Sequence, residues 1–385
     1  MRCCFGQGKD LNRVWLKKFC LNKMNIYLSD LCIENTQLKR VAKHLKSMRK
    51  TLTVIAFALG TTAAFSQQDP QFTQYMYNKL FMNPGYAGMR QALCGTVIDR
   101  QQWTGFDGAP KTFVLSADCF LPQVHGGVGL NILSDKLGFQ NTTAYRFNYS
   151  FHATNVLGGV LGIGAELGAV STRIGPGANQ SWLATTAWQN DASIPPQIKK
   201  TVFDAGFGLW YQRQGLWFGI SSTHLPASKV NDGTSSVNQV PSNLPLTHQL
   251  VYQIARHYFI TGGYNFPIGS GGSWELRPSF LVKSDATITS FDINVIALYN
   301  QRFWFGGSYR FQDAICPMVG FMLPNSKATS DERPGGGMKV GFAYDYTTSN
   351  LKNYNNGTFE LFINYCVPII PPVHRTGHGD VRIFD

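Results

Sequence analysis

Residues Thr143–His152 read TAYRFNYSFH, and this stretch decides the fold class. Thr143, Tyr145, Phe147, Tyr149 and Phe151 share one face of an extended chain, while Ala144, Arg146, Asn148, Ser150 and His152 share the other. Side chains alternate with a period of two only in a strand. Here one face is aromatic and the other polar or small. Phe203, Ala205, Phe207, Leu209 and Tyr211 repeat the pattern against Asp204, Gly206, Gly208, Trp210 and Gln212. So do Val340–Tyr346 and Phe359–Val367, and little of the chain after Leu93 shows a helical period.

Such strands suit either a soluble sandwich or a membrane barrel. The non-aromatic face carries Arg146, Glu166, Asp204, Glu275, Arg277, Lys283, Arg310, Lys339, Asp345 and Glu360. A sandwich core does not take up so many ionisable groups, whereas a polar lumen hydrates or pairs them. Spans of about ten residues with Phe and Tyr near their ends also fit a tilted outer-membrane strand with interfacial girdles. The chain is therefore expected to be all-β, a single transmembrane antiparallel barrel of about fourteen strands. Strands are placed near 93–103, 112–121, 126–135, 141–153, 158–174, 203–214, 216–225, 246–259, 274–284, 290–300, 302–311, 313–324, 338–346 and 357–367. An even count puts both termini on one side. The long connections Gly175–Val202 and Pro226–Pro245 fall on the other, which matches short periplasmic turns and long outer loops. The expected location is the outer membrane of a Gram-negative cell, with both termini periplasmic.

Met48-Arg49-Lys50 followed by apolar Thr51–Ala64, with Ala64 and Ser66 ahead of Gln67, reads as a signal peptide over 48–66. Residues 1–47 are then an extension from a start codon upstream of Met48. The whole sequence holds 34 Lys+Arg and 22 Asp+Glu, but 12 of the former and only 3 of the latter precede Gln67. The remainder is nearly neutral, so the basic balance of the full chain does not point to nucleic acid. Cys94, Cys119, Cys316 and Cys366 have no zinc-ligand spacing, leaving them as small packing residues or as disulfide partners of unreadable connectivity.

Between the signal and the first strand lies Gln68–Gly88, QDPQFTQYMYNKLFMNPGYAG. It is aromatic, has no strand or helix period, and ends in the turn signal NPGYAG. It is read as an N-terminal segment at the periplasmic mouth (domain 67–92), either a lumenal plug or a docking strip. Phe72, Tyr75, Tyr77, Phe81 and Tyr86 are its candidate partner-binding residues. Trp182 and Trp188, beside Pro195-Pro196 in the first long loop, are further candidates. A tail, 368–385, follows the barrel of 93–367.

Little suggests catalysis. Gly162-Ile-Gly-Ala-Glu-Leu-Gly168 is strand glycine rather than a nucleotide loop, since its spacing is wrong and no helix follows. No serine sits in a nucleophile elbow. His374 and His378 stand in the tail without a third ligand, and His125, His152, His224, His248 and His257 are scattered along the chain. Neither a cofactor, a metal nor an enzyme activity is expected.

Several blocks nevertheless resemble one family. The segment Gln68–Gly88, then Arg100-Gln101-Gln102-Trp103-Thr104-Gly105 and Gly108-Ala109-Pro110-Lys111-Thr112, are similar to the opening of the PorP/SprF proteins of Bacteroidetes. Arg277-Pro278-Ser279 with Lys283, Trp304–Arg310 with Asp313-Ala314, Gly341–Tyr346 and Gly357–Glu360 resemble its later blocks in order and spacing. Phe359 departs from the pattern, standing where His is usual beside the lumen. The resemblance implies a non-enzymatic component of the type IX secretion and gliding machinery. It would help export or anchor a large adhesin through that partner's C-terminal domain, and contact a periplasmic ring lipoprotein as well as membrane lipid. A passive porin or uptake channel is the alternative.

Overall fold

The computed structural model describes residues 69–105, 107–175, 198–231, 251–268, 273–324 and 336–369. Trp182, Trp188, His248, the tail histidines and everything before Asp69 lie outside them.

Seventeen strands follow the N-terminal segment. The first seven are β1 (Ala92–Gln101), β2 (Lys111–Leu121), β3 (Gly126–Leu137), β4 (Gln140–Val156), β5 (Gly159–Ile174), β6 (Ile198–Arg213) and β7 (Leu216–Thr223). Next come the short β8 (Lys229–Asn231) and β9 (Val251–Gln253), then β10 (His257–Tyr264) and the stub β11 (Phe266–Ile268). The last six are β12 (Trp274–Ser284), β13 (Thr289–Tyr299), β14 (Phe303–Arg310), β15 (Ala314–Pro324), β16 (Gly337–Thr347) and β17 (Thr358–Pro368).

All large pairings are antiparallel between neighbours. β10 joins β7 to β12, and β17 pairs with β1 from Ala92↔Pro368 to Gln101↔Phe359. Fourteen strands thus close a barrel. β11 only extends the edge of β10 along β12, and β8 and β9 form a separate two-stranded ribbon. Closure leaves the barrel wall no open edge, which a membrane requires because lipid offers no hydrogen bonds. The outer wall is apolar, with Tyr145, Phe147, Tyr149 and Phe151 of the opening stretch all exposed and Ala144, Arg146, Asn148 and Ser150 buried.

One strand falls elsewhere than the sequence suggests. The eighth barrel strand spans His257–Tyr264 rather than 246–259. Gly262-Gly263 looks like a turn, yet both glycines lie inside β10. A Cβ on Gly262 would sit 2.9 Å from the Phe280 ring, and one on Gly263 would sit 2.6 Å from that of Trp217. The glycines make room for neighbouring aromatics, a use that sequence cannot distinguish from a turn. Phe359, in turn, is on the outer wall beside Tyr344 at a ring distance of 5.1 Å, so a side chain here does not face the lumen.

The cysteines also need correcting. Cys94 and Cys366 are directly opposed on β1 and β17 and form a disulfide across the closing strand pair. Their separation of 272 residues hides the pairing in the sequence. Cys119 and Cys316 are free.

Candidate functional site: a filled lumen

The barrel interior is occupied by the N-terminal segment. Thr73, Gln74, Tyr75, Tyr77 and every residue from Asn78 to Tyr86 are buried, although none belongs to the wall. The segment advances in single helical turns at Tyr75–Tyr77, Lys79–Met82 and Pro84–Tyr86. Short turns suit a chain that must satisfy its own backbone inside a narrow tube. Asn83 starts the last turn, accepting from the Gly85 N–H at 2.8 Å with Pro84 at the first helical position. Its amide also donates to the carbonyl oxygens of Leu209 and Ile220 on the wall, at 2.9 and 3.2 Å.

Wall glycines admit the segment. A Cβ on Gly164 would lie 2.2 Å from the Gly85 nitrogen, one on Gly162 would lie 2.1 Å from the Gly85 oxygen, and one on Gly127 would lie 2.3 Å from the Ala87 oxygen. The glycines of Gly162–Gly168 that faintly mimic a nucleotide loop thus include two that form the groove for NPGYAG.

The path of the segment has a direction. Ala87 and Gly88 lie against Gly127 and Asp118, at the end of the barrel where β1 begins. Asp69 lies against Thr223, His224, His257 and Lys283, at the ends of strands that face the opposite mouth. The chain therefore runs the length of the lumen instead of resting at the mouth nearest β1.

Two polar layers hold its leading half. In the first, Arg100 meets Asp345 at 2.7 Å and Glu360 at 2.8 Å, while Arg310 meets Asp345 at 3.1 Å and Asp292 at 3.2 Å. The segment enters this network directly. The Thr73 hydroxyl donates to Asp345 at 2.6 Å, and the backbone N–H groups of Thr73 and Gln74 donate to the two oxygens of Glu360 at 2.8 and 2.7 Å. Hydrogen bonds to an ionised acceptor are about twice as strong as neutral ones. The Gln71 amide donates to Ser290 at 2.8 Å.

The second layer surrounds Asp69. His224 lies between Asp69 Oδ1 and Asp204 Oδ2, 3.0 Å from each. Arg146 approaches His224 Nε2 at 3.0 Å, Asp204 at 3.3 Å and Glu166 at 3.9 Å. The Asp69 N–H donates to His257 Nε2 at 2.9 Å, and Lys283 donates to the Asp69 carbonyl. Burial alone would raise the Asp69 carboxyl. Positive charge at His224 and Arg146, with a hydrogen bond from His224, outweighs burial and holds it well below the usual carboxylate range.

The trailing half is held by aromatic packing. Tyr77 stacks on Phe362 at 4.6 Å, Phe72 meets Phe81 edge-on at 5.2 Å, and Tyr86 meets Trp210 at 5.0 Å. Lys79 stands 4.1 Å over the Trp217 ring. Such pairs contribute about 0.5–1.5 kcal/mol each beyond their burial. Deeper along the segment, Tyr75 reaches Ser279 and Asn78 reaches Ser116.

Phe72, Tyr75, Tyr77, Phe81 and Tyr86 are thus enclosed by the wall, at 1–5% exposure. Arg146, Glu166, Asp204, Arg310, Asp345 and Glu360 are brought together in the two layers. Glu275 and Arg277 instead pair with each other at 2.9 Å, away from both. The sequence left out Arg100, Asp292, Asp69, His224 and His257. Arg100 had a usable signal, since it continues the inward face Cys94, Thr96, Ile98. The histidines did not, because 33 positions separate them and only the wall brings their rings to 5.8 Å.

A family model for type IX secretion system membrane proteins of the PorP/SprF type matches residues 64–365. The chain belongs to the PorP/SprF family. The match runs from before the lumenal segment to near the end of β17, so it covers plug and wall alike. No curated protein matches closely enough to count as a relative. Among solved structures, the CymD monoaromatic hydrocarbon channel is similar with a TM-score of 0.42 and 13% identity, over 80% of this chain and 94% of that one. The P. putida toluene transporter TodX is similar with a TM-score of 0.40 and 9% identity, over 75% and 94% of the two chains. CdiB from Acinetobacter baumannii follows at 0.31 and 6%, over 71% of this chain and 60% of that one. Family and closed barrel together assign the protein to the outer membrane.

Proposed function

We propose that this barrel is a non-enzymatic, plugged docking component of the type IX machinery that helps export or hold a large secreted partner at the cell surface. The observation that carries the reading is the filled lumen. A passive porin needs an open aqueous path, and a segment pinned by buried carboxylates and packed aromatics leaves little room for one. The barrel then serves through its two rims. With both termini periplasmic, β5 and β7 end at the outer rim, and the long connections that follow them are the part of the sequence assigned to a secreted C-terminal domain. The short turns and the start of β1 face the periplasmic ring.

The five segment aromatics become available to a partner only when the segment leaves the lumen. Loss of the segment is therefore the informative perturbation. A strain lacking Gln68–Gly88 is expected to keep a heat-modifiable barrel in its outer membrane while losing surface display of the partner adhesin. Normal display in that strain would contradict the proposal. Intact display in that strain, together with solute conductance by the unaltered protein, would support a channel instead.

A further inference from the structure

The geometry points to a divalent metal site of two histidines and one carboxylate, Asp69–His224–His257, where the N-terminal segment meets the wall. A ligand atom from each of the three lies within 4.8 Å of the others, and both histidines are buried. The three come from separate places in the chain: the segment, the end of β7 and the start of β10. An ion here would bind the segment to two wall strands at once.

Metal-bound histidines almost always turn their second nitrogen to a carboxylate or a backbone carbonyl. His257 Nδ1 does so, facing the Ala255 carbonyl at 3.1 Å, and His224 Nδ1 lies 3.0 Å from Asp204 Oδ2, in contact but off the hydrogen-bond direction. His224 Nε2 meets the Asp69 carboxylate at 3.0 Å, and His257 Nε2 faces the Asp69 N–H at 2.9 Å. A cavity of about 60 Å³ lined by Asp69, His224, His257 and Thr172 adjoins the three ligands, large enough for a water as fourth ligand. Two imidazoles, a carboxylate and a water form a donor set suited to zinc in tetrahedral geometry.

Charge and hydrogen bonding agree. Asp69, Asp204 and Glu166 stand around Arg146 and His224, so a dication that takes the place of the His224 proton meets carboxylate from the segment and the wall. Binding displaces three contacts, the Asp69 N–H on His257 Nε2, Arg146 Nη2 on His224 Nε2 and the His224 Nε2–Asp69 Oδ1 hydrogen bond. The guanidinium has somewhere to go. Both Glu166 oxygens are buried without a hydrogen-bond donor, and Arg146 Nη1 is buried without an acceptor. Turning Arg146 from His224 onto Glu166 satisfies both.

The test uses untagged mature protein carrying His374→Ala and His378→Ala, which removes the tail pair. After incubation with Zn²⁺ and exhaustive dialysis, elemental analysis should find about one zinc per chain. His224→Ala, His257→Ala and Asp69→Asn should each lower retention at least tenfold, with heat-modifiable migration confirming a folded barrel. Co²⁺ should give the visible absorption of a tetrahedral N/O site in the parent and lose it in the variants. If the histidine variants fail to fold, Asp69→Asn decides the matter, since Asp69 is not part of the wall. Retention below a tenth of an equivalent in the parent, or zinc that survives the substitutions as adventitious surface ion, overturns the proposal.

Discussion

Arg100 on β1 stands directly opposite Glu360 on β17, and their side chains meet at 2.8 Å across the strand pair that closes the barrel. The same Glu360 carboxylate accepts both N–H groups of Thr73 and Gln74. One buried carboxylate therefore joins first strand, last strand and plug. Barrel closure and lumen filling are linked at a single side chain.

Replacing Glu360 by Ala should consequently weaken both. It leaves Arg100 with Asp345 and the Thr73 hydroxyl and strands two buried backbone donors of the segment. Removing one partner of a buried pair costs about 3–5 kcal/mol. The temperature at which the folded band converts on a semi-native gel should fall clearly. Glu360→Gln, which keeps an acceptor of the same shape, should fall less.

The disulfide makes a second expectation. Alkylation of the denatured mature protein without reductant should label Cys119 and Cys316 and spare Cys94 and Cys366. Cys94→Ser should lower stability by about 2–4 kcal/mol, the usual effect of removing a bridge that closes a long loop. Equal labelling of all four thiols would contradict the pairing.

Gly164→Val should push the NPGYAG turn off the wall. The new Cβ would fall 2.2 Å from the Gly85 nitrogen, where backbone meets backbone and no flexible side chain can yield. Limited proteolysis should then cut between Asn83 and Gly88 in the variant while the parent resists. An outward glycine, on the face away from the segment, gives the control: Gly307→Ala, whose Cβ finds its nearest atom at 3.9 Å, should behave as the parent does.

The wall was legible because its chemistry is periodic. Arg146 and Tyr145 sit on opposite faces in sequence and in space, and thirteen of the fourteen strands lie within a few residues of their expected places. The eighth lies at His257–Tyr264 rather than 246–259, with Gly262-Gly263 inside it making room for two bulky rings. The segment was recognised as special but not as a full-length plug, since its contacts lie up to 287 positions away. The pairing of Asp69 with His224 and His257, and of Cys94 with Cys366, depends on barrel closure, and no local pattern encodes that.

The most direct test of the filled lumen is conductance in a planar bilayer, comparing the mature protein with a form lacking Gln68–Gly88. A plugged barrel gives no steady channel in the intact protein and stable ion-conducting steps once the segment is removed. Equal, stable conductance from both forms would contradict it.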